Sequence, residues 1–209
     1  MSVKLNGLYV ISDDTLTPKE TILKQIEQAL KAGVTIVQLR DKISKDEELE
    51  ELIQKLQELC KRYDALFVLN DRIELAIKLN CDGLHIGRSD HHRVKEIRQE
   101  YKGVLGISCY GDLALAKKME DLNVDYVAFG SFFTSSTKPL AAVVDKEVIR
   151  QGKEQLNIPV CVIGGITSKN AQELINKGAN MTAVISDIWK SDNIEKKCTE
   201  FTKLFKGKK

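Results

Sequence analysis

The sequence has few cysteines, and their number and spacing argue against a disulfide framework. Its 209 residues include five cysteines, and no two of them form a Cys-x-x-Cys pair. An odd number of scattered cysteines is not typical of a disulfide scaffold. We therefore expect buried thiols in a reducing compartment, at the positions Cys60, Cys81, Cys109, Cys161 and Cys198.

Long apolar runs are also missing. No stretch approaches the roughly 20 apolar residues that a transmembrane helix needs. The first residues, MSVKLNGLYVIS, lack the long apolar segment of a secretory signal peptide. We therefore expect a cytoplasmic protein with no membrane partner.

The chain lacks an excess of charge of either sign. It has 32 basic and 30 acidic residues and a formal net charge of +2. This balance argues against a general nucleic-acid-binding protein. The basic end at 206–209, KGKK, is interpreted as a mobile, solvated tail rather than a binding patch.

A Gly-x-Gly-x-x-Gly loop after the first strand is absent as well, which argues against a dinucleotide-binding Rossmann fold. What the sequence does contain is a series of short, continuous apolar runs, each followed by a segment with helical spacing. Continuous runs are typical of parallel strands that are buried on both faces. The eight runs lie at 7–12, 34–40, 65–70, 83–87, 103–108, 125–130, 158–165 and 183–186.

Helix starts are predicted between these runs. Thr17 precedes Pro18 and Ser44 precedes Glu47 by three residues, and both patterns are typical of capped helix N-termini. Eight strand–helix units in series favour a closed parallel barrel over an open sheet. We therefore predict an α/β fold, a single (β/α)8 TIM-barrel domain spanning 1–209.

Parallel barrels carry their functional groups at the carboxyl ends of the strands. Three cations lie at predicted strand ends or in the loops that follow them: Arg40, Lys42 and Lys138. Two carboxylates, Asp71 and Asp90, follow neighbouring strands, and a few oxygen ligands suit a Mg²⁺ ion shared with substrate phosphates. The local excess of about three positive charges matches a diphosphate ester, which carries roughly three negative charges.

A second anion site is predicted at the last two strand ends. The segments GGIT at 164–167 and VISD at 184–187 place small residues at helix starts. Barrels commonly bind a phosphate after strands seven and eight. The hydroxyl-rich loop after the sixth strand, FTSSTK at 133–138, is expected to span both anion sites.

Each of these residues also has a simpler interpretation. Asp71 and Asp90 are consistent with helix caps, and GGIT is consistent with a tight turn. Arg40 and Lys42 are consistent with solvated charges, and His85 with a packed core histidine. The functional interpretation depends on the coincidence that seven of eight strand ends carry polar groups of one chemistry.

The motifs QLRDK, ND, GLHIGRSD, GISCY, FGSFFTSSTKP, IPVCVIGGIT and AVISDI, in this order, resemble the thiamine-phosphate synthase family. The resemblance extends over nearly the whole chain. It implies a transferase that joins a pyrimidine methyl diphosphate to a thiazole phosphate, giving thiamine phosphate and pyrophosphate. The named substrates are 4-amino-2-methyl-5-(diphosphooxymethyl)pyrimidine and 4-methyl-5-(2-phosphoethyl)thiazole.

The resemblance also implies which residues bind each group. One Mg²⁺ per subunit would be held by Asp71 and Asp90, and the catalytic residues would be Lys138, Arg40 and Ser108. The pyrimidine diphosphate would be bound by Gln38, Leu39, Arg40, Asp41, Lys42, Asn70, Ser108 and Lys138. The thiazole phosphate would be bound by Ser135, Ser136, Thr137, Gly165, Ile185 and Ser186.

The sequence departs from the family pattern at two positions, because Arg88 stands where glutamine is usual and Thr134 where proline is usual. Two alternatives stay open: a thiazole tautomerase-like barrel and a non-catalytic protein that binds thiamine phosphate. The partners expected are two phosphorylated small molecules, with no nucleic acid. Barrels of this size often pair, so a homo-oligomer stays open, with no interface assigned.

The resemblance gives a first testable prediction. We expect Lys138→Ala to lower turnover far more than it lowers thiazole phosphate affinity, because the lysine would stabilise the departing diphosphate. Steady-state kinetics with each substrate varied in turn would measure both effects. Unchanged turnover would remove Lys138 from the catalytic set.

Overall fold

The computed structural model describes residues 5–134 and 142–206. Eight parallel strands form a closed barrel in which each strand pairs with its sequence neighbours and β1 pairs with β8. The predicted TIM barrel is therefore confirmed. The strands are β1 (Gly7–Ile11), β2 (Ile36–Leu39), β3 (Leu66–Asn70), β4 (Gly83–Ile86), β5 (Val104–Tyr110), β6 (Tyr126–Phe129), β7 (Val160–Ile163) and β8 (Met181–Val184).

Helices alternate with the strands and surround the barrel. Two additional 3₁₀ segments, Asp46–Glu48 and Arg88–Arg93, follow β2 and β4. None of the described helices combines the length and hydropathy that crossing a bilayer would require. The α-helices of the described ranges are α1 (Ile22–Lys31), α2 (Glu50–Arg62), α3 (Ile73–Lys78), α4 (Val94–Glu100), α5 (Leu113–Glu120), α6 (Glu147–Gln155), α7 (Ala171–Asn176), α8 (Ser186–Trp189) and α9 (Ile194–Phe205).

The last strand lies two residues earlier than its apolar run predicts. β8 ends at Val184, and the backbone of Ile185 turns away with φ −120° and ψ −84°. Ser186 is therefore the first residue of α8 rather than the end of a strand. The strand predicted at 183–186 therefore began and ended two residues too late. Ile185 is apolar, but it lies in this turn rather than in the strand.

The first helix also begins later than its capping pattern predicts. Asp13 closes a turn by accepting the N–H of Leu16 through Oδ1 at 3.0 Å. Thr17 donates its hydroxyl to the backbone oxygen of Asp13 at 2.9 Å. The hydroxyl of Thr17 therefore belongs to this turn, and the helix begins at Ile22. The predicted cap at Thr17 was wrong.

Apolar side chains form two layers, one outside and one inside the barrel. The outer layer packs strands against helices and includes Leu39, which is 3% exposed. Inside the barrel, Gly106 leaves the space for the ring of Tyr126, because a Cβ at Gly106 would overlap that ring. The inner layer consists of Tyr9, Ile11, Ile36, Leu66, Val68, Tyr126, Ala128, Cys161, Met181 and Ala183.

All five cysteines are buried and free, as the sequence predicts. Burial raises the pKa of the Cys60, Cys81, Cys109 and Cys198 thiols to about 12. Burial likewise raises the pKa of Cys161, which lies inside the barrel. These thiols behave as small apolar side chains at neutral pH.

The fold gives a prediction about helix capping. Asp112 accepts the N–H of Leu115 at 2.9 Å and so caps α5. We expect Asp112→Ala to lower the free energy of unfolding by about 1 kcal/mol, because it leaves a helix donor unpaired. Asp112→Asn keeps the acceptor oxygen and should change stability much less. Urea unfolding would measure both, and equal losses in the two variants would contradict the capping role.

Candidate active site

A cavity of about 730 Å³ lies at the carboxyl ends of the strands. This volume is typical of sites that enclose small molecules. Every strand of the barrel contributes to its wall directly or through the residues that follow it. Of the residues expected from the sequence, seven line the cavity: Gln38, Arg40, Asn70, Ser108, Gly165, Ile185 and Ser186.

The other expected residues are placed differently. The side chain of Leu39 packs in the outer apolar layer. Asp41, Lys42, Asp71 and Asp90 do not line this cavity but follow the same strand ends. The roles expected for Lys138, Ser135, Ser136 and Thr137 concern residues that lie outside the described ranges.

Arg40 is held at the rim by its backbone. Ser12, which follows β1, accepts the Arg40 N–H through Oγ at 2.8 Å and donates its hydroxyl to the Arg40 backbone oxygen at 3.2 Å. Ser12 is 2% exposed, so this clamp is shielded from water. Arg40, held in this way, lines the cavity.

Asp41 organises the loop after β2. Its carboxylate accepts hydrogen bonds from the N–H of Ile43 at 2.9 Å and from the N–H and hydroxyl of Ser44 at 2.7 and 2.8 Å. A guanidinium nitrogen of Arg72 lies 3.6 Å from Asp41 Oδ1. Burial raises the pKa of Asp41, but the hydrogen bonds and the arginine outweigh burial and hold it below its usual value. Because Ser44 is bonded to Asp41, the predicted cap at Ser44 was wrong, and α2 begins at Glu50.

Asp71 and Asp90 are connected through one residue. Asp71 Oδ1 accepts the N–H of Gly87 at 3.1 Å, and the carbonyl oxygen of Gly87 accepts the N–H of Asp90 at 3.2 Å. Lys42 Nζ lies 3.8 Å from Asp71 Oδ2, and Arg93 Nη1 lies 3.9 Å from Asp90 Oδ1. The two carboxylates thus lie on linked backbone segments at the same rim.

This pair has a donor set that fits Mg²⁺. Among the described residues, no group of three or more histidine, cysteine, aspartate or glutamate side chains could hold a metal. Mg²⁺ needs no such group, because it retains water ligands and is commonly bound by one or two carboxylates together with substrate phosphates. Asp71 and Asp90 supply only oxygen ligands, which are the ligands that this ion prefers.

Five side chains form a continuous line of hydrogen bonds inside the barrel, which we call the interior chain. Gln38 Nε2 donates to the Tyr9 hydroxyl at 2.6 Å, and the hydroxyls of Tyr9 and Tyr126 are 3.0 Å apart. The Tyr126 hydroxyl lies 2.9 Å from His85 Nδ1, and His85 Nε2 lies 2.9 Å from Ser108 Oγ. Both ends of the interior chain, Gln38 and Ser108, line the cavity.

Burial controls the ionisation of the interior chain. It lowers the pKa of His85 to about 4, so the imidazole is neutral at pH 7. It raises the pKa of Tyr9 and of Tyr126, so both keep their hydroxyl hydrogens. The rings of His85 and Tyr126 are stacked with centroids 5.6 Å apart, which keeps the two polar groups in register.

The part of the cavity wall that follows β7 includes two glycines, Gly164 and Gly165. Gly164 and Gly165 have φ values of 104° and 63°, which favour glycine. A Cβ at Gly165 would lie only 2.7 Å from the Cβ of Phe133. The absence of side chains at these glycines therefore allows the loop after β6 to approach, with the N–H of Phe133 donating to Gly164 O at 3.0 Å.

Two lysines line the same part of the cavity, and the sequence analysis did not single them out. Lys197 Nζ lies 2.9 Å from Glu200 Oε2 and 3.8 Å from Asp187 Oδ2. Lys190, at the end of α8, is the second. Lys190 follows α8 and Lys197 lies in α9, so a survey restricted to strand ends could not find them.

Sequence reasoning also missed Tyr9, Tyr126 and the role of His85. Each lies within an apolar strand, where alternation points its side chain into the barrel. A polar hydroxyl or imidazole group at an inward-facing strand position could have identified these three residues from the sequence. Arg88, which stands where the family usually has glutamine, contacts an aromatic side chain of the cavity. Its guanidinium carbon lies 4.3 Å from the ring centroid of Tyr110, and Tyr110 lines the cavity.

A closed parallel barrel with a polar cavity at the strand ends defines a TIM-barrel enzyme that binds small molecules. A family model described as thiamine monophosphate synthase matches residues 8–188. The chain is 44% identical over 184 residues to the thiamine-phosphate synthase of Alcanivorax borkumensis, covering 87% of this chain and 84% of that protein. It is 42% identical over 189 residues to that of Wolinella succinogenes, covering 90% and 87%.

A solved structure agrees with these relatives. Thiamine phosphate pyrophosphorylase from Pyrococcus furiosus matches with a TM-score of 0.85 and 33% identity, covering 97% of this chain and 96% of that chain. The chain therefore belongs to the thiamine monophosphate synthase family, a family of transferases. The resemblance in the sequence motifs is confirmed, and the alternatives of a tautomerase-like barrel and a non-catalytic binding protein are not supported.

The Asp41 loop gives a pH-dependent prediction. Because the folded pKa of Asp41 lies below its value of 3.8 in the unfolded chain, its stabilising contribution is complete well above pH 3.8 and is lost as pH falls through the folded pKa. We expect Asp41→Asn to lower the free energy of unfolding by about 1–2 kcal/mol at pH 7. The difference from the unmodified chain should shrink below pH 4.

Urea unfolding at pH 7 and pH 3.5 would measure this difference. Asp64→Asn, at an exposed aspartate beyond α2, is the matched control and should change stability little at either pH. A deficit for Asp41→Asn that is equal at both pH values would contradict the ionised role of Asp41.

Proposed function

We propose that this cavity joins the aminopyrimidine methyl diphosphate to the thiazole phosphate. The exocyclic C–O bond breaks, and its electron pair leaves with pyrophosphate. The lone pair of the thiazole nitrogen then forms a C–N bond to the same carbon, giving thiamine phosphate. The observation that carries this proposal is one cavity that combines Gln38, Arg40, Asn70 and Ser108 with Gly165, Ile185 and Ser186, in a chain of this family.

The first group of residues suits the pyrimidine diphosphate. Gln38, Asn70 and Ser108 offer neutral hydrogen-bonding groups, and Arg40 offers a planar cation that matches phosphate oxygens. Arg40 is positioned through its backbone, which Ser12 clamps. Its guanidinium can stabilise the negative charge that develops on the departing pyrophosphate.

The second group suits the thiazole phosphate. Gly165, Ile185 and Ser186 lie after β7 and β8, where barrels commonly bind a phosphate. Lys190 and Lys197 place two ammonium groups in this part of the wall, beside the carboxylates of Asp187 and Asp192. The ion pairs of Lys197 with Glu200 and Asp187 hold its ammonium group at the rim.

We propose that Asp71 and Asp90 hold one Mg²⁺ per subunit. When bound, Mg²⁺ supplies positive charge to the diphosphate oxygens. Lys42 Nζ lies 3.8 Å from Asp71 Oδ2, so its ammonium group would lie beside the metal and could contact the diphosphate. The oxygen-only donor set and its place beside Asn70 support this assignment.

The reaction needs no protein nucleophile. The cysteines are buried, with raised pKa values, and His85 is neutral and bonded on both ring nitrogens. Rate acceleration therefore comes from holding two anionic partners at reacting distance and from stabilising the leaving group. The free thiols support the proposed cytoplasmic location, because that compartment is reducing. Association into a homo-oligomer stays a prediction.

The test is product formation by the purified chain. With both substrates and Mg²⁺ present, we expect equal amounts of pyrophosphate and thiamine phosphate, and neither product when one substrate is left out. Chelation of the metal should stop the reaction. Absence of product from the unmodified chain would overturn the proposed function.

Arg40→Ala tests the leaving-group role within the same assay. We expect it to lower kcat/KM for the pyrimidine diphosphate by roughly 100-fold, because one cation at the developing charge is lost. Arg62→Ala, at an exposed arginine in the last turn of α2, is the matched control and should leave the kinetics unchanged. Equal kinetics for the two variants would remove Arg40 from the catalytic set.

A further inference from the structure

The segment GGIT at 164–167, which we call the β7 loop, forms part of the cavity wall. All four of its residues line the cavity. The β7 loop follows β7, which ends at Ile163, and precedes α7, which begins at Ala171. Asn170 lies directly before α7 and does not line the cavity. It is therefore close to the loop but behind the surface that a ligand would contact.

The side chain of Asn170 is bonded to the β7 loop rather than to the helix that follows it. An asparagine directly before a helix commonly accepts an N–H of the first helical turn. Asn170 makes no such bond to the described residues of α7. Instead, its Oδ1 accepts the N–H of Thr167 at 2.8 Å, and its Nδ2 donates to the carbonyl oxygen of Gly165 at 3.1 Å.

These two bonds require an amide side chain in one orientation. Thr167 offers a donor and Gly165 offers an acceptor, so the side chain must present an acceptor to the first and a donor to the second. The asparagine amide has both. An ionised aspartate has the same shape but only acceptors, so it could hold Thr167 and would repel the oxygen of Gly165.

The bond to Gly165 also fixes the direction of the next N–H group. The carbonyl and the N–H of a planar trans peptide point in opposite directions. Because the Gly165 carbonyl points toward Asn170, the N–H of Ile166 points away from it. Gly165 and Ile166 line the cavity and Asn170 does not, so this N–H is directed to the cavity side.

Two N–H groups of the β7 loop are available to a ligand. Among the described residues, the N–H groups of Gly165 and Ile166 have no hydrogen-bond acceptor. Backbone N–H groups in folded proteins rarely stay unpaired, and adjacent ones in loops with left-handed residues commonly bind anions. Gly165 is such a residue, with φ 63°. The pair therefore suits the oxygens of a phosphate group.

A second contact holds the end of the β7 loop. Asp187, in α8, accepts the N–H of Ser168 through Oδ2 at 3.1 Å. Lys197 Nζ lies 3.8 Å from the same oxygen and offsets its negative charge. This contact fastens the residue after the loop, whereas the Asn170 side chain acts on the peptide between Gly165 and Ile166.

We propose that Asn170 is a positioning residue for phosphate binding, because it holds the β7 loop with the N–H of Ile166 facing the cavity beside that of Gly165. This inference rests on the proposed function, in which the phosphate is that of the thiazole partner. Asn170 does not touch the phosphate and acts through the carbonyl group of Gly165. Without Asn170 this peptide can rotate and turn its oxygen toward the cavity, where it would repel a phosphate.

The first experiment measures the KM of each substrate separately. We expect Asn170→Ala to raise the KM for the thiazole phosphate roughly 10-fold, because hydrogen bonds to a charged group are weakened. The KM for the pyrimidine diphosphate and kcat should stay unchanged, because the phosphate is bound equally before and during the reaction. Asn170→Asp keeps the acceptor for Thr167 but lacks the donor for Gly165, so it should have at least the same effect.

Asn180→Ala is the matched control. Asn180 Oδ1 accepts the N–H of Val160 at 2.9 Å, at the opposite end of β7 from the loop. We expect this variant to lower stability and to leave both KM values unchanged. Asn170→Asp provides the test if Asn170→Ala does not fold. An unchanged KM for the thiazole phosphate in a folded Asn170 variant, or an equal rise in both KM values, would overturn the proposal.

The second experiment does not depend on catalysis. Inorganic phosphate is added to the substrate-free protein while nitrogen-15 NMR follows the backbone amides. We expect saturable shifts of the Gly165 and Ile166 signals, a phosphate affinity roughly 10-fold weaker in Asn170→Ala, and an unchanged affinity in Asn180→Ala.

Two results of this titration would contradict the role of Asn170. One is the absence of shifts at Gly165 and Ile166 in the unmodified protein, and the other is an equal phosphate affinity in Asn170→Ala. If the chain formed no thiamine phosphate, the proposed function would fail while the titration still tested whether Asn170 positions the β7 loop for a phosphate.

Discussion

The closure of the barrel between β1 and β8 is the constraint on which the site depends. The pairing of Tyr9 with Ala183 completes the ring of strands and fixes the direction in which each strand end points. Closure also places β1 across the narrow barrel interior from β6, so that the hydroxyls of Tyr9 and Tyr126 lie 3.0 Å apart. Without closure, neither the common rim nor the interior chain would exist, because both join residues far apart in sequence.

The interior of this barrel is polar at the level where it meets the cavity. The lower positions are filled by apolar side chains such as Ile36 and Met181, which close the barrel like the core of other small barrels. Above them, hydroxyl, amide and imidazole groups hydrogen-bond to one another, and all of these side chains except Ser108 are buried. Buried polar groups are costly when unpaired, so a complete network at this level also stabilises one arrangement of the strands.

Much of the architecture could be predicted because parallel strands that are buried on both faces appear in the sequence as short, continuous apolar runs. All eight strands correspond to apolar runs, and the strand-end rule identified seven residues of the cavity wall. The errors arose where local and tertiary contacts compete for the same side chain. Ser44 has the sequence of a helix cap, but the carboxylate of Asp41 takes its hydroxyl.

The interior chain shows a second limit of sequence reasoning. Tyr9 and Tyr126 are separated by 117 residues, and nothing local indicates that their hydroxyls meet. Each has the pattern of an apolar strand residue, and only the register of the closed barrel brings the two together. The roles expected for residues 135–138, which lie outside the described ranges, depend on the sequence pattern and the family resemblance.

The distribution of the cysteines has a consequence for how the folded chain can be observed. With pKa values raised to about 12 by burial, thiols such as Cys60 and Cys198 contain almost no thiolate at neutral pH. Cys161 lies inside the barrel, whereas Cys60 and Cys198 lie between strands and helices. A thiol reagent can therefore reach each one only when the surrounding layer opens. The five native cysteines act as built-in reporters that separate loosening of the helical shell from opening of the barrel itself.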